Sequence, residues 1–160
     1  MRRQNYNLQY TKTYTQKLEG SKSEIFPLLC PVRERDWLDG WECEIIYSKS
    51  GINEEGCVFT TSHHSEKPAV WVTTKYDFEK GIIQFARVSE GEEAVKIDIH
   101  LIEKKNDTEC KISYQYTALN PVRKQYLRDN LDNKFYQSMQ WWEKAINYYL
   151  RTGEMLPVKD

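Results

Sequence analysis

One stripe of apolar side chains runs through the C-terminal third of the sequence. Val122, Tyr126, Leu127, Leu131, Phe135, Met139, Trp142, Ile146 and Tyr149 recur at gaps of three, four, or one beside four. Only a helix brings such positions onto one face. Asn120 stands where a cap is needed, and Pro121 at the first helical position. Gly153 follows Arg151 where the stripe stops. A helix over Val122–Thr152 would be about 46 Å long at roughly 1.5 Å per residue, with Asp129-Asn130 a place for a bend. A helix with one apolar face needs a floor to bury it. The rest of the chain must supply that floor.

The period upstream is two, not three and a half. Val95, Ile97, Ile99 and Leu101 alternate with Lys96, Asp98 and His100; Ile112, Tyr114 and Tyr116 alternate with Lys111, Ser113 and Gln115. One-sided burial of this kind belongs to an antiparallel sheet with one face in water. Strands are predicted over Trp41–Lys49, Gly56–Ser62, Ala69–Tyr76, Gly81–Ser89, Glu93–Lys104 and Glu109–Leu119. Short polar breaks separate them, among them Ser50-Gly51, Asp77 to Lys80, Glu90-Gly91 and Lys105-Asn106-Asp107. Connections this short make consecutive strands antiparallel neighbours. The alternation puts Ile97 and Tyr114 on the helix side of the last hairpin, and Asp98 and His100 on the other.

A seventh strand opens the chain over Tyr6–Leu18, with Tyr6, Leu8, Tyr10 and Tyr14 on one face. Ser21 and Glu24 then have capping-box spacing. Pro27 and Pro31 limit the helix that starts there, and a second short helical turn over Arg33–Asp39 closes at Gly40. The order is strand, two short helices, six strands, one long helix. It implies a single α+β domain over 1–160, a bent antiparallel sheet of about seven strands wrapped around the last helix.

Net charge is −1, so a basic footprint for nucleic acid is absent. No run approaches the roughly 20 apolar residues of a membrane span, and Met1-Arg2-Arg3 is followed by no apolar segment of a signal peptide. The four cysteines, Cys30, Cys43, Cys57 and Cys110, form no CxxC pair. Reduced thiols and a cytoplasmic location are the expectation. GxSxG, GxxxxGK[ST] and GxGxxG motifs do not occur. Zinc spacing does not occur either: His63-His64 are adjacent, and Cys57 lies six residues upstream of them. No metal and no cofactor are expected.

Leu18-Glu19-Gly20-Ser21-Lys22-Ser23-Glu24-Ile25-Phe26 resembles the strand-end entry I-x-A-S-x-E-x-V-F of the START/SRPBCC superfamily, the polyketide cyclase-like and pollen-allergen-like helix-grip proteins. Leu29 to Trp41 (LCPVRERDWLDGW), Met139-Gln140-Trp141-Trp142-Glu143 and Tyr149-Leu150-Arg151-Thr152-Gly153 resemble a bacterial SRPBCC subgroup. The resemblance spans nearly the whole chain. It implies a helix-grip fold and either carriage of a lipid, sterol, polyketide or hormone-like ligand, or cyclisation and dehydration chemistry. Fold alone does not choose between them.

A helix laid on a bent sheet leaves room for a cavity. Inward positions and the helix stripe nominate Trp41, Tyr47, Phe59, Val72, Phe85, Ile97, Ile99, Tyr114, Tyr116, Met139 and Trp142 as its lining for a small hydrophobic ligand. A filled aromatic core is the alternative. Arg87 shares parity with Phe85: it either grips a ligand carboxylate or reaches solvent or a structural carboxylate. Glu34, Trp37 and Trp41 cluster; Glu34 either exchanges a proton or is structural. The basic residues of the last helix, Arg123, Lys124, Arg128, Lys134, Lys144 and Arg151, read as a solvated face or an anionic contact. Binding of a hydrophobic or amphipathic ligand leads. A cyclase- or dehydratase-type enzyme and a partner-binding module without a cavity are the alternatives.

Overall fold

The computed structural model describes residues 9–62 and 67–159. Tyr6, Leu8 and the His63-His64 pair lie outside them. The elements run β1 (Gln9–Leu18), α1 (Lys22–Ile25), a 3-10 turn (Phe26–Leu28), α2 (Glu34–Trp37), β2 (Glu44–Tyr47), β3 (Val58–Thr61), β4 (Ala69–Asp77), β5 (Ile82–Ser89), β6 (Glu93–Glu103), β7 (Thr108–Ala118) and α3 (Pro121–Thr152). The strands form one antiparallel sheet in the order β1-β7-β6-β5-β4-β3-β2. Every neighbour is the next strand in sequence except β1, which returns to pair with β7.

The local signals act as their chemistry predicts. The Ser21 hydroxyl accepts from the Glu24 amide, and the Glu24 carboxylate accepts from the Ser21 amide. The Asn120 side chain accepts from the Arg123 amide at 2.7 Å and donates to the Gly91 carbonyl at 2.7 Å. The start of α3 is thereby pinned to the β5–β6 turn. Gly153 ends α3 in the left-handed conformation with φ 72°. Helix runs unbroken through Asp129-Asn130. Val122, the first residue of the predicted stripe, projects into solvent instead. Gly81 is required between β4 and β5: its φ is 67°, and a Cβ there would lie 2.6 Å from the Leu101 carbonyl oxygen.

Alternation decides which face α3 covers. Val95, Ile97, Ile99 and Leu101 of β6 are buried, as are Cys110, Ile112, Tyr114 and Tyr116 of β7. Ile97 sits opposite Tyr114, while Asp98 sits opposite Ser113 and His100 opposite Lys111 on the other face. A polar seam fixes α3 along β1. Gln16 donates to the Met139 carbonyl at 3.0 Å, Tyr14 donates to Glu143 at 2.9 Å, and the Lys17 amide donates to the same carboxylate at 2.6 Å. Asn147 exchanges two hydrogen bonds with the Lys17–Glu19 backbone, and Arg151 pairs with Glu19.

Two inward assignments are corrected. Tyr47 is 59% exposed. Ile45 pairs with Phe59, but Tyr47 pairs with Val58, because a bulge at Ile46 shifts the register by one residue. Val72 is 36% exposed. Its cross-strand partner is outward-facing Val58, while Trp71 stands opposite Phe59 and is buried. The strand predicted over Trp41–Lys49 shrinks to β2, since Ser48 and Ser50 instead bond Glu54 and the Ile52 carbonyl in a tight loop.

All four cysteines are free thiols. Thiol titration of denatured, unreduced protein should therefore find all four; a count of two after air oxidation is excluded would contradict it. No helix among the described residues is long and apolar enough to cross a membrane.

Candidate ligand cavity

The sheet register lines up a row of side chains beneath the helix. Ile45, Phe59, Trp71, Arg87, Val95, Tyr116 and Tyr10 are successive cross-strand partners from β2 to β1. Arg87 is the one charged member of that row. Between the row and α3 lies a cavity of about 240 Å³. Trp71, Tyr114 and Tyr116 wall it from the sheet, Leu127, Leu131, Phe135, Met139 and Trp142 from the helix, and Trp41 from the loop after α2.

The walls are rigid aromatic surface. Trp71 stacks on Phe59 with centroids 5.3 Å apart, Trp41 meets Trp71 edge-on at 6.3 Å, and Phe135 meets Tyr114 at 5.6 Å. Two of the indole N–H groups are used outside the cavity: Trp41 donates to the Pro31 carbonyl at 2.8 Å, and Trp71 to the Thr61 hydroxyl at 2.9 Å. Burial pushes the Tyr114 hydroxyl well above its usual range and Tyr116 up to about 12, each pulled part way back by Arg87.

One end of the cavity is charged. Glu93 is 1% exposed, at the start of β6 where the first turns of α3 pass over it. Arg87 donates to one carboxylate oxygen at 3.2 Å, and Arg123 holds the other through Nε and Nη2. Arg87 also lies 5.2 Å over the Trp71 ring, and Arg123 lies 4.5 Å over Tyr126. Lys134 stands 4.8 Å over the same Tyr126 ring and bonds its hydroxyl.

The opposite end narrows to a crevice of about 10 Å³, near the minimum for one water. Glu34 faces it, among Pro31, Phe59, Phe85, Ile97 and Ile99. Burial among these side chains raises the Glu34 carboxyl pKa to about 8. The carboxyl is largely protonated at neutral pH.

Of the residues nominated from the sequence, Trp41, Arg87, Tyr114, Tyr116, Met139 and Trp142 line the cavity. Phe59, Phe85, Ile97 and Ile99 line only the narrow end, and Tyr47 and Val72 face solvent. Trp71, Glu93, Arg123, Tyr126, Lys134 and Phe135 escape the sequence reading of the site. Parity with Val95 and Ile97 was an available signal for Glu93. Asp98 and His100 stay apart from the cavity, on the other face. Among the described residues no cluster of three His, Cys, Asp or Glu could hold a metal.

No protein-family model matches the sequence, and no curated relative is found. Solved structures do match in shape. Norcoclaurine synthase from Thalictrum flavum superposes with a TM-score of 0.67 at 15% identity, over 91% of this chain and 88% of that one. The same synthase, in complex with dopamine and hydroxybenzaldehyde, matches with a TM-score of 0.65 at 15% identity, over 89% and 87% of the two chains. Ara h 8.0201 matches with a TM-score of 0.66 at 16% identity, over 90% and 99%. These neighbours and the seven-stranded antiparallel sheet under one long helix give this chain the helix-grip fold.

Proposed function

We propose that the protein binds a small amphipathic molecule in the cavity between the sheet and α3. The observation that carries this reading is the open space of about 240 Å³, walled by aromatic rings and closed at one end by charge. An apolar pocket with a few oriented polar groups is the usual form of a small-molecule site. A packed interior would have favoured a partner-binding module. That a synthase of this fold is crystallised in complex with dopamine and hydroxybenzaldehyde supports small-molecule binding here.

Met139 tests it. The side chain is buried in α3 and borders the cavity. N-phenyl-1-naphthylamine should bind the parent protein saturably. Met139→Trp should place an indole in the empty space and reduce dye affinity by about tenfold or more, while the protein melts within a few degrees of the parent. In a filled core the same change would overpack, at roughly 1–3 kcal/mol or more. A parent that binds no dye, with a variant that melts much earlier, rejects the reading.

Acid–base catalysis of the cyclase or dehydratase type is a second reading, favoured by Glu34. A carboxyl kept protonated near neutrality in an apolar crevice can serve as a general acid. Product formation from a bound aldehyde or polyketide, lost in Glu34→Gln while binding persists, would establish it.

A further inference from the structure

Resting on the ligand-cavity reading, we infer that the ligand is an anion: an aromatic acid whose charged head seats against Arg87, Arg123 and Lys134. Charge is the first reason. The lining contains three cationic side chains and a single acidic one, Glu93. Two guanidinium groups share that one carboxylate, and among the described residues Lys134 meets the Tyr126 ring and hydroxyl and no carboxylate. The walls therefore carry an excess of two positive charges.

The placement of Arg87 is the second reason. An arginine serving only solubility would extend from its strand end to water. Arg87 instead occupies a row of apolar and aromatic side chains, lies over Trp71, and keeps its side chain only 21% exposed. Its Nε is buried with no hydrogen-bond acceptor. Glu93 engages Nη2 alone, and Arg87 is itself one of the residues that border the cavity. A planar carboxylate offers the oxygen acceptors that a guanidinium fork and a neighbouring ammonium take up. The body of such a ligand would lie along Trp71, Tyr114 and Trp142 toward the Glu34 end.

The test compares two dyes with one frame. 8-Anilino-1-naphthalenesulfonate and N-phenyl-1-naphthylamine differ only in the sulfonate, and loss of both in Met139→Trp locates them in the cavity. The sulfonate should bind about tenfold more tightly at low ionic strength, with the preference shrinking as potassium chloride is added. Arg123→Met should lower the ratio of the two affinities severalfold. Lys134→Met, on the exposed rim and outside the Glu93 pair, should lower it too and carries the test if Arg123→Met does not fold. Glu93→Gln should raise the ratio. Equal affinities, or a ratio indifferent to all three substitutions, would overturn the anionic ligand and leave the cavity reading intact. Failure of both dyes to bind the parent would reject the cavity reading and this inference with it.

Discussion

The parent protein should lose stability between about pH 5 and pH 8, and Glu34→Gln should flatten that fall. The Glu34 carboxyl has an ordinary value of 4.5 in the unfolded chain and about 8 when buried. The folded state therefore holds its proton where the unfolded state has released it. Stability from this group is complete below pH 4.5, drains away as pH rises, and is gone above about pH 8. At about 1.4 kcal/mol per pH unit, the whole fall is at most on the order of 5 kcal/mol. Glutamine cannot ionise, so urea unfolding of the variant should give nearly constant free energies from pH 5.5 to 8.5. The variant should exceed the parent most at pH 8.5. Measurements stop there because Cys110, pushed up to about 12 by burial from 9.0, adds its own fall at higher pH. Parallel profiles for parent and variant would show that Glu34 ionises freely in the folded protein.

Trp37→Ala should cost about 3–5 kcal/mol, the usual loss for deleting a buried aromatic. Trp37 is fully buried in α2. Its ring meets Trp142 of α3 at 6.2 Å and 89°, and its N–H donates to the Leu28 carbonyl at 2.9 Å. Alanine removes the ring and leaves that carbonyl unpaired. Trp37→Phe keeps a ring against Trp142 and should cost less than half as much. Because α2 also carries Glu34, the alanine variant should bind N-phenyl-1-naphthylamine more weakly than the phenylalanine variant. Chemical denaturation and dye titration check both points. A loss under about 1 kcal/mol in Trp37→Ala would mean that α2 is not held by this contact.

Much of the fold is legible because its signals are local. The alternation in β6 and β7, the Ser21–Glu24 box and the Asn120-Pro121 cap each depend on residues within a few positions of one another, and each appears as its chemistry requires. The site is less legible because its geometry is set across strands. One bulged residue, Ile46, reverses the facing of Tyr47. Val70, Trp71, Val72 and Thr73 could present either pair inward on hydrophobicity alone, and only the pairing of Trp71 with Phe59 decides. Arg123 and Lys134 look like ordinary solvated helix residues. They become cavity residues because Asn120 anchors the helix to Gly91 and lays its first turns over Glu93. The raised pKa of Glu34 depends on Phe59, Phe85, Ile97 and Trp142, none of them near it in sequence.

The return of β1 to β7 has a consequence for how the chain closes. Five of the six strand pairings join neighbours in sequence, whereas the Thr13–Ser113 hydroxyl contact spans 100 residues. Closing a loop that long costs roughly 3 kcal/mol more conformational entropy than closing a hairpin turn of about five residues. That closure also joins α3 to the sheet, since Gln16, Tyr14 and Lys17 of β1 hold Met139 and Glu143. The meander from β2 to β7 can order itself locally, but the cavity roof is seated only when the two ends of the chain meet. A ligand enclosed there rewards the fully joined molecule and no shorter assembly, so its binding energy adds to the cooperativity of folding as well as to stability.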